Sequence, residues 1–127
     1  MAHPALQSDL EWRIMKYLWK QERASIREIW EALFPEGDKA YTTIQTYMER
    51  MVDKSLLTKE KIGLVNFYSP RHSEQEALSQ AASSFVDKAF EGSFLTLANF
   101  LIKSDKLKHD DLEELRRLLQ SRERDAK

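Results

Sequence analysis

Within one short stretch, Thr42, Thr43, Gln45, Thr46 and Arg50 bring together three hydroxyls, a carboxamide and a guanidinium. Short hydroxyl side chains bond phosphate oxygens or base edges and offer methyls to thymine, a carboxamide addresses adenine, and a guanidinium reaches a phosphate or a guanine edge. Helical geometry sorts the stretch into two faces. At about 100° per residue, Ile44, Tyr47, Met48 and Met51 fall on one side, with Thr42, Thr43, Thr46 and Arg50 on the other and Gln45 at the flank. Such a helix can keep its apolar face on a core while its polar row enters a major groove. Three β-branched residues on an exposed helical face are unusual on propensity, although an ordinary solvated face is the plain alternative. Lys59 and Lys61, in the extended run that follows, would lie along the neighbouring backbone.

The elements that must hold this row are legible in the pattern. Ser8-x-x-Glu11 fits a capping box ahead of Leu10, Ile14, Met15 and Leu18. Ser25-x-x-Glu28 repeats it before Ile26, Ile29, Trp30 and Leu33, and Pro35, Gly37 and Asp38 mark a loop. A third helix covers 41 to about 54. The period then changes to alternation from Leu57 to Ile62, and Val65 to Ser69 follows Gly63, which reads as a β-hairpin ended by Pro70 and standing out in water. Ser73-x-x-Glu76 opens a fourth helix with Leu78, Ala81, Phe85, Ala89 and Phe90; Gly92 closes it and Ser93 opens a fifth, with Phe94, Leu97, Ala98 and Leu101. Asp110-x-x-Glu113 starts a sixth with Leu112, Leu115, Leu118 and Leu119, and the polar tail from Ser121 is expected to fray.

Three helices and a hairpin are the parts of a winged helix-turn-helix, so the fold class is mainly α with a small β-hairpin wing. The boundary is drawn at 1–71 for the winged-helix DNA-binding domain and 72–127 for a helical domain. The latter is too small, with one apolar stripe per helix, to sustain a core alone. Pairing with a second copy into a homodimer would bury those stripes; folding back on the first half is the alternative.

Composition narrows the rest. The chain has 127 residues with 42% hydrophobic and 32% charged, so it is not a disordered acidic tail. No cysteine is present, which removes disulfides, thiolate metal sites and a cysteine nucleophile. The longest apolar stretch, Phe94 to Ile102, is far short of the roughly 20 residues of a membrane span. Nor does the N-terminus carry a basic segment leading into an apolar one. A cytoplasmic protein without direct membrane insertion is expected. The net charge of −1 argues against a polycation coating nucleic acid. From Lys39 to Lys61, five basic residues (Lys39, Arg50, Lys54, Lys59, Lys61) face three acidic ones (Glu49, Asp53, Glu60), a modest net +2. One copy should bind DNA weakly, which again suits a dimer on a two-fold site.

Several segments resemble the BlaI/MecI/CopY penicillinase-repressor family. They are Glu11-Trp12-Arg13-Ile14-Met15-Lys16-Tyr17-Leu18-Trp19, Ser25-Ile26-Arg27-Glu28-Ile29, Tyr41-Thr42-Thr43-Ile44-Gln45-Thr46 with Arg50, and Tyr68-Ser69-Pro70. Phe85-Val86-Asp87-Lys88 through Gly92-Ser93 to Asp111-Leu112-Glu113-Glu114-Leu115 is similar too, so the resemblance spans roughly residues 8 to 120. It implies a bacterial transcriptional repressor, with a C-terminal helical dimerisation domain, on a palindromic double-stranded operator. The matching positions put Thr42, Thr43, Gln45, Thr46 and Arg50 at the DNA. Three residues depart from the pattern: Ser55 where many relatives have glycine, Leu64 where arginine follows the wing glycine, and Asn66 in place of an aromatic residue.

The resemblance also bears on switching. The copper-responsive branch uses C-terminal cysteines, absent here. In the β-lactam-responsive branch a membrane sensor with a metalloprotease domain leads to cleavage at an Asn-Phe bond, and Asn99-Phe100 stands at the corresponding place. Cutting there would detach the last helix and weaken the dimer; ordinary helical packing is the stronger explanation of the dipeptide.

Other chemistry is thin. His3, His72 and His109 lack the paired spacing of a metal site and read as surface histidines. Asp110 and Glu113 read as capping and first-turn charges beside Asp111 and Glu114. Trp12, Trp19 and Trp30 read as packing residues. No phosphate loop, nucleophile motif or cofactor site is expected, so an enzyme is a remote reading. The main competitor to a repressor is a winged-helix module whose third helix faces a protein.

Overall fold

The computed structural model describes Leu6 and residues 8–126. His3 and the N-terminal segment read for a secretion signal lie outside the described residues. Among the described residues six helices and one hairpin follow in order: α1 (Asp9–Gln21), α2 (Ile26–Leu33), α3 (Tyr41–Asp53), β1 (Leu57–Ile62), β2 (Val65–Pro70), α4 (Glu74–Ala89), α5 (Phe94–Lys103) and α6 (His109–Asp125). The chain divides into two compact units, one ending at Ala82 and one beginning at Ser83, so the division falls inside α4.

Serine caps set the starts. Ser25 Oγ accepts from Glu28 N at 3.2 Å while Glu28 Oε1 accepts from Ser25 N at 2.8 Å, a complete capping box. Ser73 and Glu76 form the same reciprocal pair at 3.1 Å in each direction. Ser8 and Ser93 accept from Glu11 N and Thr96 N. Such a cap stabilises a helix by about 1 kcal/mol. The last helix departs from expectation: it starts at His109, and Asp111, rather than Asp110 or Glu113, accepts from Lys108 N at 3.0 Å. Glu113 sits instead near Arg116 at 4.0 Å. The tail does not fray at Ser121 either. The helix runs on to Asp125, with Arg122 and Arg124 in its last turn, where cations suit the negative end of the helix dipole.

In the first unit the three stripes meet in one core of Ile14, Met15, Leu18, Ile26, Ile29, Phe34, Ile44, Met48, Met51, Leu56, Leu57 and Tyr68. Each large side chain buried this way contributes roughly 1.5–3 kcal/mol. The hairpin pairs Leu57 with Pro70 and Ile62 with Val65 in antiparallel register. Gly63 opens its two-residue turn at φ +65°, a backbone region that glycine enters without a Cβ penalty. A third, one-residue strand is added at Ala24. Its N–H donates to Tyr68 O at 3.0 Å and its carbonyl accepts from Tyr68 N at 2.8 Å, tying the hairpin base to the start of α2.

Ser55, between α3 and β1, takes φ +65° with an exposed side chain. Left-handed backbone costs a non-glycine residue about 1–2 kcal/mol, and glycine's added chain entropy offsets part of the relief. Ser55→Gly is therefore expected to stabilise the protein by about 0.5–1 kcal/mol. Urea denaturation checks this; an unchanged or lower midpoint would contradict it.

In the second unit Val86 is fully buried, and Phe90 meets Phe85 edge-on and Phe100 at a tilt, both at 5.7 Å between centroids. No residue of α5 or α6 is buried within the chain. Of the stripes read from the sequence, Phe94, Ala98, Leu112, Leu115, Leu118 and Leu119 are exposed, while Leu97 and Leu101 are half-buried. Leu95 and Ile102, outside those stripes, are exposed as well, so this chain alone covers the apolar surface of α5 and α6 only in part.

Candidate nucleic-acid interface

The turn into α3 is fixed by aromatic contacts. Trp30 Nε1 donates to Lys39 O at 2.7 Å, and its ring meets Tyr41 edge-on at 5.7 Å. The Arg27 guanidinium lies 5.6 Å from the Tyr41 ring centre. Trp30 is thus a positioning residue for the start of α3 as well as a packing one. Trp19 also spends its indole N–H, on His72 O at 2.9 Å, and meets Trp12 edge-on. Ala40 at the N-cap of α3 provides no side-chain cap.

Along α3, Ile44, Met48 and Met51 are buried, while Thr42, Gln45, Thr46 and Arg50 are exposed and Thr43 is half-buried. The helix thus brings four of the five sequence-predicted residues to its outer side, with Thr43 at the edge of that row. Thr46 Oγ1 donates to Thr42 O at 3.0 Å, which commits its proton to the helix and leaves its methyl and oxygen lone pairs outward. No ion pair holds Arg50 among the described residues.

The two wing lysines differ. Lys61 is exposed at the register position opposite Asn66. Lys59 is drawn onto α3, its Nζ 3.3 Å from both carboxylate oxygens of Glu49. Glu49 also accepts from the Tyr68 hydroxyl at 2.8 Å. Burial first, then the hydrogen bond to Glu49 and its charge, with a smaller contribution from Tyr41, push the Tyr68 phenol well above its ordinary value. It therefore stays a donor to Glu49 through the physiological range.

Tyr68 and Glu49 line a cleft of about 380 Å³ between the start of α2, α3 and the wing, together with Arg27, Tyr41, Gln45, Leu64 and Asn66 among others. Glu49 is the site residue that sequence reasoning missed. In sequence it shows only as one acidic residue in the charge balance, and its partners Lys59 and Tyr68 lie on the hairpin. Arg27 and Tyr41 were missed as an interacting pair, visible only as pieces of the family resemblance.

Elsewhere the site candidates separate. Asn99 and Phe100 are exposed in α5, with Phe100 against Phe90. His72 is half-buried rather than on the open surface, with Nδ1 3.9 Å from Glu76. Glu114 pairs with Arg117, whose hydrogen bond holds the carboxyl below its usual range. Among the described residues no group of His, Asp and Glu could hold a metal ion. No described helix is long and apolar enough to cross a membrane.

The fold is a winged helix. A solved DNA-binding domain of the repressor BlaI matches it with a TM-score of 0.52 and 30% identity, over 60% of this chain and 93% of that one. A sequence model of the penicillinase repressor family matches residues 7–121, and the chain belongs to that family. It is similar to the methicillin resistance regulatory protein MecI of Mammaliicoccus sciuri, at 27% identity over 88% of this chain and 91% of the relative. The penicillinase repressor of Bacillus licheniformis is 26% identical over 89% and 88%. The transcriptional regulator BlaI of Mycobacterium tuberculosis is 30% identical over 94% and 86%.

Proposed function

We propose that this protein is a cytoplasmic transcriptional repressor, not an enzyme, that binds a palindromic double-stranded DNA operator as a homodimer. The observation that carries this reading is the outward row Thr42, Gln45, Thr46 and Arg50 on α3, with Thr43 beside it and the wing alongside. Membership of the family supports it. Residues 1–71 serve DNA binding, with Lys61 on the neighbouring backbone and Lys59 held by Glu49 until a phosphate competes for it. Residues 72–127 serve dimerisation, supported by the exposed leucines and phenylalanines of α4, α5 and α6.

Selection of bound duplexes from a random pool tests the reading. A palindrome should emerge, and its affinity should fall linearly in a log–log plot against salt, with a slope near −0.9 per phosphate contacted. Binding without sequence preference at any salt would instead favour a protein-facing α3, which the near-neutral charge would suit.

Release is proposed to follow cleavage at Asn99–Phe100 by a membrane sensor-linked protease. The bond lies in a helix with both side chains exposed, so local unwinding of α5 must precede the cut. Incubation with a cognate sensor protease should give two fragments; an intact chain, or cuts elsewhere, would remove this step.

A further inference from the structure

The wing ends in an apolar point. Leu64 is 95% exposed at its tip, and the flanking pair Ile62 and Val65 are 41% and 45% exposed. Nothing lies within 4 Å of a Cβ built at Gly63, and Leu64 beside it borders the open cleft between the wing, α2 and α3. A leucine this open to water gains little from burial in the folded monomer, and it offers no charge to a phosphate.

The register shows what the tip is aimed past. Side chains alternate across a ribbon. Lys59 and Tyr68 both reach Glu49, so the face carrying them is turned to α3. Two residues further out, Lys61 and Asn66 share that face. The tip therefore extends the outward side of α3 and carries a cation and a carboxamide behind an apolar end. From Lys59 to the turn the ribbon runs about 14 Å at roughly 3.4 Å per residue. The next minor groove lies about half a helical turn, or ~17 Å, from the centre of the major groove. Apolar side chains that enter minor grooves partly unstack a base step and kink the duplex, and pyrimidine–purine steps yield most readily.

We infer that Leu64 is a specificity-determining wedge that enters the minor groove flanking the α3 site, with Lys61 on the adjacent phosphates, and selects a flexible pyrimidine–purine step. The inference rests on the repressor reading and adds a base step that α3 does not touch.

The test uses the full chain and the palindromic duplex recovered by selection, end-labelled to report bending by energy transfer. Wild type should bend the duplex and prefer a pyrimidine–purine step in the flank. Leu64→Ala should abolish the bend and the flank preference and lower affinity roughly hundredfold, about the effect of one buried leucine at each of two half-sites. Its α3-site specificity and salt slope should be unchanged. Leu64→Arg should recover affinity with a slope steeper by about 1.8, one phosphate at each of the two wings, and no bend. Equal bending and flank preference in wild type and Leu64→Ala would overturn the wedge while leaving the repressor standing. A Leu64→Ala chain that changes its own oligomeric state would overturn it in favour of a contact between copies. Selective binding of no duplex by wild type would remove the repressor reading and the wedge with it.

Discussion

Thr46→Ala combined with Arg50→Ala is expected to abolish operator binding while the protein stays folded and dimeric. Both side chains are exposed, and neither contributes to the buried set Ile44, Met48 and Met51 that holds α3 to the core. Their removal should therefore leave the far-ultraviolet dichroism and the denaturation midpoint close to wild type. Each good base or phosphate interaction is worth about 1–3 kcal/mol. Removing two of them from each of two half-sites makes the expected drop at least about hundredfold. Arg50→Lys separates the roles further: a lysine keeps charge on a phosphate but loses the bidentate grip on guanine. Fluorescence anisotropy on the selected duplex and on scrambled DNA gives the result. If the double variant binds the operator like wild type, α3 is not the reading helix.

The second large effect belongs to α6. Leu115→Glu with Leu119→Glu is expected to convert a dimer into a monomer and to lower operator affinity by about 10²–10⁴, since the second half-site is then no longer held at high effective concentration. The two leucines are 38% and 63% exposed in the single chain, so the substitution costs the isolated chain little. Buried charges are costly only where a partner covers them. Affinity for a single half-site should be unchanged, which separates lost pairing from lost reading. Sedimentation velocity reports the assembly state directly. A wild-type chain that stays monomeric at the concentration saturating the palindrome would sink the dimer, as would a variant that still dimerises.

Local chemistry accounts for most of what could be read in advance. Ser25 with Glu28, and Ser73 with Glu76, are close in sequence and carry their geometry with them, so their boxes were legible. The outward row of α3 was legible for the same reason, because helical phase needs no knowledge of the neighbours. What escaped is long-range. Lys54 Nζ reaches the buried carboxylate of Glu11 at 2.6 Å across two helices, and no spacing rule joins residues so far apart. Ala24 forms a strand of one residue, too short to show a period. The indole bonds of Trp19 and Trp30 end on backbone carbonyls, which every residue has. At α6 the sequence offered several carboxylates in a row, and only the backbone's start at His109 decides that Asp111 lies in phase to reach back.

The clasp of Glu49 on Lys59 and Tyr68 sets rules for transplanting specificity. Its three residues sit on different elements, α3, β1 and β2, and none can be exchanged alone without stranding a charge or a buried phenol. Residues 62–66 lie beyond it and make up the outer end of the ribbon. That end is a cassette: it can be swapped between relatives while the clasp keeps its mount fixed. A chimaera should therefore be cut outside Lys59 and Tyr68, never through them.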